Sequence, residues 1–250
     1  MEGVRYASSV LLRAVDLDSA QKYTESLVCY QEGVQILVNS IKSIEDESVR
    51  AKLKPKIEEY MGRAEKLKKH IEELKKKGSF REKMQIDEDA TGYSYDKVFS
   101  RFLDHSVHRI EVEDPYIRSP HQCDNFLRFV EMCLRQCPNL QTIALTTRAD
   151  DNQNSHREQN TRLSTIRKSI QAFSGGKVQL NVEFSEVLHD REIRLDNGWV
   201  IKIGRGLDYF KPVDRLSVGW SDYHFRPCKA TTVDIFHNKD LHRCHYLTCF

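Results

Sequence analysis

The sequence predicts two domains: an all-α three-helix bundle, then an α/β domain built on a mixed, largely parallel sheet. Three observations carry that expectation. Apolar residues recur at alternating steps of three and four through the first 77 residues, the period of an amphipathic helix. A polar, aperiodic stretch follows, rich in Asp87, Glu88 and Asp89. Beyond it, short β-type runs alternate with helix-type segments, the rhythm of strands joined by crossover helices. The boundaries read as a helical domain over 1–78, a linker over 79–92 and an α/β domain over 93–250.

The first helix is expected over 8–17, with Leu11, Ala14 and Val15 on one side. The second covers about 22–43 and repeats Leu27, Tyr30, Val34, Leu37, Ile41 and Ile44. The third runs toward Lys77 on a stripe of Ile57, Tyr60, Met61, Ala64, Leu67, Ile71 and Leu74. Pro55 lies before that stripe and is expected to begin or kink the helix, because an interior proline costs ~3 kcal/mol. Short connections make the three an antiparallel bundle. The closing Lys75-Lys76-Lys77-Gly78 reads as a solvated helix end, where the dipole favours cations, rather than as a lipid contact.

In the second domain a short helix over 95–103 precedes a strand over 107–112, which ends at Glu113-Asp114-Pro115-Tyr116. A helix over 121–137, a strand over 140–147, a helix over 157–173 and a strand over 178–183 follow. Residues 189–203 read as a hairpin turned by Asp196-Asn197-Gly198. Side chains alternate along a strand, so His189, Arg191, Ile193 and Leu195 are expected on one face. A histidine and an arginine beside two aliphatic residues suggest a sheltered anion site. Asp196 reads equally well as a plain turn residue.

Composition narrows the function classes. The chain has 250 residues, 30% of them charged, and no apolar run approaches the roughly 20 residues of a membrane-spanning helix. No signal-peptide pattern opens it, and seven cysteines without paired metal-type spacing fit a reducing, cytoplasmic setting. The crowded His237, His242, Cys244, His245 and Cys249 match no closed four-ligand pattern and read as a polar tail; no cofactor or metal is expected. Residues 1–85 hold 17 Lys/Arg against 14 Asp/Glu, and 86–250 hold 22 against 23. Neither part has the bulk positive charge of a nucleic-acid binder, so anion recognition must be local.

Two runs carry family resemblances. Tyr60-Met61-Gly62-Arg63-Ala64-Glu65-Lys66-Leu67, with Tyr23-Thr24-Glu25-Ser26-Leu27 and Tyr30-Gln31, resembles the MIT domain. That resemblance implies a three-helix module binding the C-terminal helices of ESCRT-III subunits, the charged multivesicular body proteins. Met61 would then floor a groove between the second and third helices, and Glu65 would meet a basic residue of the incoming helix. Without the resemblance, Met61 reads as bundle core and Glu65 as solvated surface. The family commonly has an acidic residue where this chain has Gly62, which removes one possible ion pair.

His189-Asp190-Arg191-Glu192-Ile193-Arg194-Leu195-Asp196 nearly spells HxKxxxxD, and so resembles a half-site of the phospholipase D superfamily, with Arg191 in the lysine position. Active members join two half-sites; this chain has one, so a complete site would require a homodimer. The superfamily's following Gly-Ser-x-Asn is replaced by Gly204-Arg205-Gly206-Leu207, which lacks the serine and asparagine and adds a cation near Lys202. The resemblances together imply a non-catalytic, homodimeric adaptor. It would bind ESCRT-III through its MIT domain, and acidic phospholipid membranes, phosphoinositides among them, peripherally through His189, Arg191, Lys202 and Arg205. They place it in cytokinetic abscission at the midbody and on endosomal or other ESCRT-III-bearing membranes. A dimeric phosphodiesterase and a purely dimerising scaffold stay open as alternatives.

Overall fold

The structure, a computed structural model, describes residues 2–238 and divides into two compact units between Glu82 and Lys83. The first is a helical bundle of α1 (Glu2–Ser19), α2 (Tyr23–Ile41) and α3 (Glu47–Lys77). Leu11 and Ala14 of α1, Leu37 of α2, and Ile57, Leu67 and Ile71 of α3 are buried, as their spacing requires; Val15, expected beside Leu11, is instead 41% exposed. The ends of α3 follow ordinary capping chemistry. The Asp46 carboxylate accepts from the Ser48 and Val49 backbone N–H groups, and Gly78 supplies the left-handed residue that closes the helix. Pro55 neither begins α3 nor ends it: the helix starts two turns earlier and runs through the proline.

The second unit holds a seven-stranded sheet in the order β1-β7-β6-β5-β2-β3-β4. Its strands are β1 (Arg81–Ile86), β2 (Arg109–Glu113), β3 (Thr142–Thr147), β4 (Gln179–Phe184), β5 (Glu192–Leu195), β6 (Trp199–Ile203) and β7 (Thr231–His237). Parallel pairing joins β2, β3 and β4, while β2–β5, β5–β6 and β6–β7 are antiparallel. The helices are α4 (Tyr95–Phe99), α5 (Pro120–Gln136) and α6 (Gln153–Phe173), with 3₁₀ turns at Ser100–Phe102 and Tyr223–Phe225. Ser119 and Gln122 form a capping box at α5, and Asn152 caps α6.

Register explains how this sheet stands. Val182, Leu145, Val112, Ile193, Ile201 and Ile235 lie directly opposite one another across six strands and form the core row. One residue along, the row is Glu183, Thr146, Glu113, Glu192, Lys202 and Asp234, all on the other face. The segment 79–92, expected as a linker, is structured. Its alternation buries Glu82, Met84 and Ile86 in β1, and Asp89 and Gly92 donate backbone hydrogen bonds to Cys228 and His224. Four charged residues in Arg81–Ile86 and its neighbour Asp87 masked that period of two.

Among the described residues no helix is long and apolar enough to cross a membrane, and no cluster suits a metal. His237 is buried in β7, whereas His242, Cys244, His245 and Cys249 lie outside the described residues. The five cysteines among the described residues are buried; burial pushes the Cys123 thiol to about 11 and Cys137 to about 12, which keeps both protonated and unreactive.

Candidate functional site

The C-terminal end of the parallel strand β2 leads into a cleft of about 600 Å³, which the end of β6 and the start of β7 also line. Arg191 and Arg205, both singled out in the sequence, line it together with Tyr116, Gln122 and Asp208. Arg191 sits one residue before β5, on the core side of the sheet's end. Its guanidinium lies 4.3 Å from the centre of the Tyr116 ring and donates to the Gly204 carbonyl. Its Nε is buried with no acceptor, and no carboxylate comes within ion-pair distance of it among the described residues. Arg205 donates from Nε to the Ala230 carbonyl at 3.1 Å and is otherwise exposed.

Asp114 supports this end from beneath. It follows β2 and is 3% exposed; its two oxygens accept from the Tyr116 N–H at 3.0 Å and the Leu207 N–H at 3.2 Å. Burial raises its pKa above the ordinary aspartate range, against those hydrogen bonds and the nearby Arg191 charge. Gly206, at φ +59°, passes so close that a Cβ there would overlap the Asp114 carboxylate. The Asp114–Gly206 contact therefore sets the loop that carries Arg205, and only glycine fits it.

The remaining residues of the sequence reading are elsewhere. His189 is exposed in the loop before β5, outside any strand and outside the cleft lining. The expected shared face of His189 and Arg191 is therefore corrected: β5 begins only at Glu192, since His189 and Asp190 have no partner strand. Asp196 acts as a turn residue whose carboxylate accepts from the His108 N–H at 3.0 Å, at the far end of the hairpin. Lys202 lies on the opposite sheet face from the cleft, 3.0 Å from the Glu192 carboxylate and 3.8 Å from Asp190. The Glu192 hydrogen bond holds its ammonium above the ordinary lysine value.

In the helical unit Met61 is 46% exposed and Glu65 is exposed one turn later on the same stripe of α3. Val28 of the adjoining α2 is 42% exposed. Gly62 is open, with nothing near the position of a Cβ, so it leaves space beside Met61. On the other flank of α3, Arg63 makes a two-pronged pair to Asp18 of α1 at 2.6 and 2.7 Å, which ties α3 to α1.

The sequence reading missed Asp114, Tyr116 and Asp208. For the first two a signal existed: they directly follow a parallel strand, where α/β sheets place their sites. Asp208 is bonded to Asn125 at 3.1 Å and Lys229 at 3.3 Å, contacts that span distant sequence and leave no local mark.

Comparison with known proteins agrees with this division. Residues 5–69 match the family described as the MIT (microtubule interacting and transport) domain. Residues 92–237 match the family described as a phospholipase D-like domain at the C-terminus of MIT. MIT domain-containing protein 1 of Mus musculus is 45% identical over 234 residues, 93% of this chain and 92% of that protein.

Proposed function

The chain belongs to the family of MIT proteins with a C-terminal phospholipase D-like domain, and on that premise we propose that it is a non-catalytic adaptor between ESCRT-III and acidic membranes. MIT domains generally bind ESCRT-III proteins. The half-exposed Met61 supports that use here: a large apolar side chain held in water beside Glu65 suits an amphipathic helix that lays its apolar face in a groove. In the C-terminal unit the pairing of Arg191 with Arg205 in one cleft carries the membrane reading. Two permanently charged guanidinium groups suit a lipid phosphate.

The non-catalytic reading is supported by what stands around those arginines. Phosphodiester cleavage of the superfamily type needs a histidine aimed at phosphorus, and His189 lies outside the cleft lining. The Gly-Ser-x-Asn residues are replaced as well. A homodimer through the C-terminal unit, recruitment to the midbody and a role in abscission complete the proposal. Dimerisation would give two membrane sites per particle and the avidity that weak headgroup contacts need.

Titration with a C-terminal ESCRT-III peptide, beside circular dichroism, tests the first half. Met61→Asp is expected to abolish binding with the helical signal intact, because it puts a charge in an apolar groove; unchanged affinity sinks the groove. For the second half, Arg191→Gln/Arg205→Gln is expected to weaken co-sedimentation with phosphoinositide vesicles. Release of headgroup that disappears in His189→Ala would restore an enzyme. Sedimentation of the intact chain as a monomer at high concentration would remove the dimer.

A further inference from the structure

A second cavity of about 460 Å³ lies beside the first, with Asp208 lining both. Its wall brings together Arg128 of α5 and Arg226, which follows the 3₁₀ turn Tyr223–Phe225. Both guanidinium groups rest on one ring: Arg226 lies 4.2 Å and Arg128 4.3 Å from the centre of Tyr223. Arg226 is only 8% exposed, yet neither guanidinium has a hydrogen bond or ion pair among the described residues, and the Nε of each is buried without an acceptor. The other cations of the wall are already engaged. Lys229 is 3.3 Å from Asp208, and Lys211 is 2.5 Å from Glu88 and 2.8 Å from Asp89. Asp124 also lines the cavity, but no carboxylate comes within ion-pair distance of either guanidinium among the described residues, and two like charges held together without a direct partner cost stability unless an anion completes them.

The chain between Lys211 and Arg226 adds an independent observation. Leu216 is 94% exposed, Val218 79%, Phe225 55% and Trp220 40%. The loop that shows them is built. Ser217 and Trp220 close successive tight turns onto Asp214 and Ser217, and Leu216 sits at φ +70°. Gly219, at φ +89°, packs against the backbone of Phe225 and Arg226, so the loop root is anchored on the cationic wall itself. A left-handed leucine is costly, and here it turns an aliphatic side chain into water.

We infer that residues 211–226 form a membrane-insertion element: Leu216 and Val218 enter the acyl boundary of an acidic bilayer while Arg128 and Arg226 hold a lipid phosphate. The chemistry of the two parts is complementary to one ligand, an anion that carries an apolar tail. The inference rests on the reading that the C-terminal unit meets acidic membranes, and it adds a contact at a different cavity from that of Arg191 and Arg205. Trp220, between tip and wall, would sit at the headgroup level.

The full chain carries two tryptophans, and Trp199 is 5% exposed, so Trp199→Phe leaves Trp220 as the reporter. Vesicles of phosphatidylcholine with phosphatidylinositol 4-phosphate, with and without brominated acyl chains, are one probe; soluble inositol 1,4-bisphosphate is the other. Trp220 emission is expected to be quenched by the brominated vesicles. Leu216→Asp/Val218→Asp, at sites whose exposure tolerates change, should weaken vesicle binding by about tenfold or more and leave inositol bisphosphate binding intact. Arg128→Gln should weaken both, and Arg128→Gln/Arg226→Gln should do so further where thermal melting shows it folded. Vesicle binding without quenching, or a loop variant that binds vesicles like the wild type, overturns the inference. If Arg191→Gln/Arg205→Gln then abolishes binding, the broader membrane reading survives alone. A wild type that binds no acidic vesicle sinks both, and bisphosphate binding without vesicle binding leaves a site for free phosphate esters.

Discussion

The two sides of the C-terminal sheet use their basic residues in opposite ways. On the polar face, Arg194 lies 2.7 Å from Glu113 and 3.9 Å from Glu111 and also pairs with Glu192, while Lys202 pairs with Glu192 and Asp190. At the cleft end, Arg191, Arg205, Arg128 and Arg226 have no carboxylate within ion-pair distance among the described residues. The unit as a whole is nearly neutral, so charge counting does not separate these groups. Position does: a cation directly opposite a glutamate in a register is already spent on the fold, and one beyond the last paired residue is available to a ligand.

The largest test of that contrast is Gly206→Ala. The new Cβ must displace the buried Asp114 carboxylate at a left-handed position, and about 3 kcal/mol of stability should be lost. Urea denaturation measures it; a neutral substitution would mean that the Arg205 loop is not set by this contact.

Glu192→Gln examines the spent side. Glu192 is 4% exposed and serves two cations, so breaking it should cost about 1–2 kcal/mol, discounted from a fully buried pair because Lys202 is half in water. The same variant releases Lys202, and vesicle binding that rises would show that pairing alone had kept this lysine out of membrane contact.

Asp114 offers a pH test. Its pKa is raised in the folded state, so the stability linked to its protonation is fully present below the unfolded value and is lost as pH rises through the folded value. Asp114→Asn does not titrate. The advantage of wild type over that variant should therefore shrink across this window and then level off, read from melting temperatures at a series of pH values. A gap that widens with rising pH would reverse the assignment.

The smallest expected effects are on vesicle affinity. Arg205→Gln should weaken binding by about fivefold, one basic contact near an anionic surface being worth ~1 kcal/mol. Lys202→Gln should change it less, since Glu192 already neutralises that charge. Equal losses would erase the distinction between the two faces.

How much of this was legible in the chain varies by element. The bundle was, because Leu37, Ile57, Leu67 and Ile71 fall on a 3.6-residue period that survives in any context. The β5–β6 hairpin was too, through Asp196-Asn197-Gly198, where Gly198 takes φ +95°. Strand β1 was not, since Arg81, Glu82 and Lys83 hide an alternation that only a neighbouring β7 makes useful. Of the candidate residues, Arg191 and Arg205 do share a cleft, while His189 and Lys202 stand apart from it.

The sequence by itself determined the two-part architecture, the helix faces and the hairpin, all of which depend on neighbours within a few residues. Only the tertiary structure decided which charges are free. Arg128 and Arg226 are 98 positions apart and meet on Tyr223 because α5 and the 3₁₀ turn line one cavity. Lys202 is neutralised because strand register sets it opposite Glu192. Coulomb energy follows separation in space and the medium between charges, and neither is written in the order of the residues.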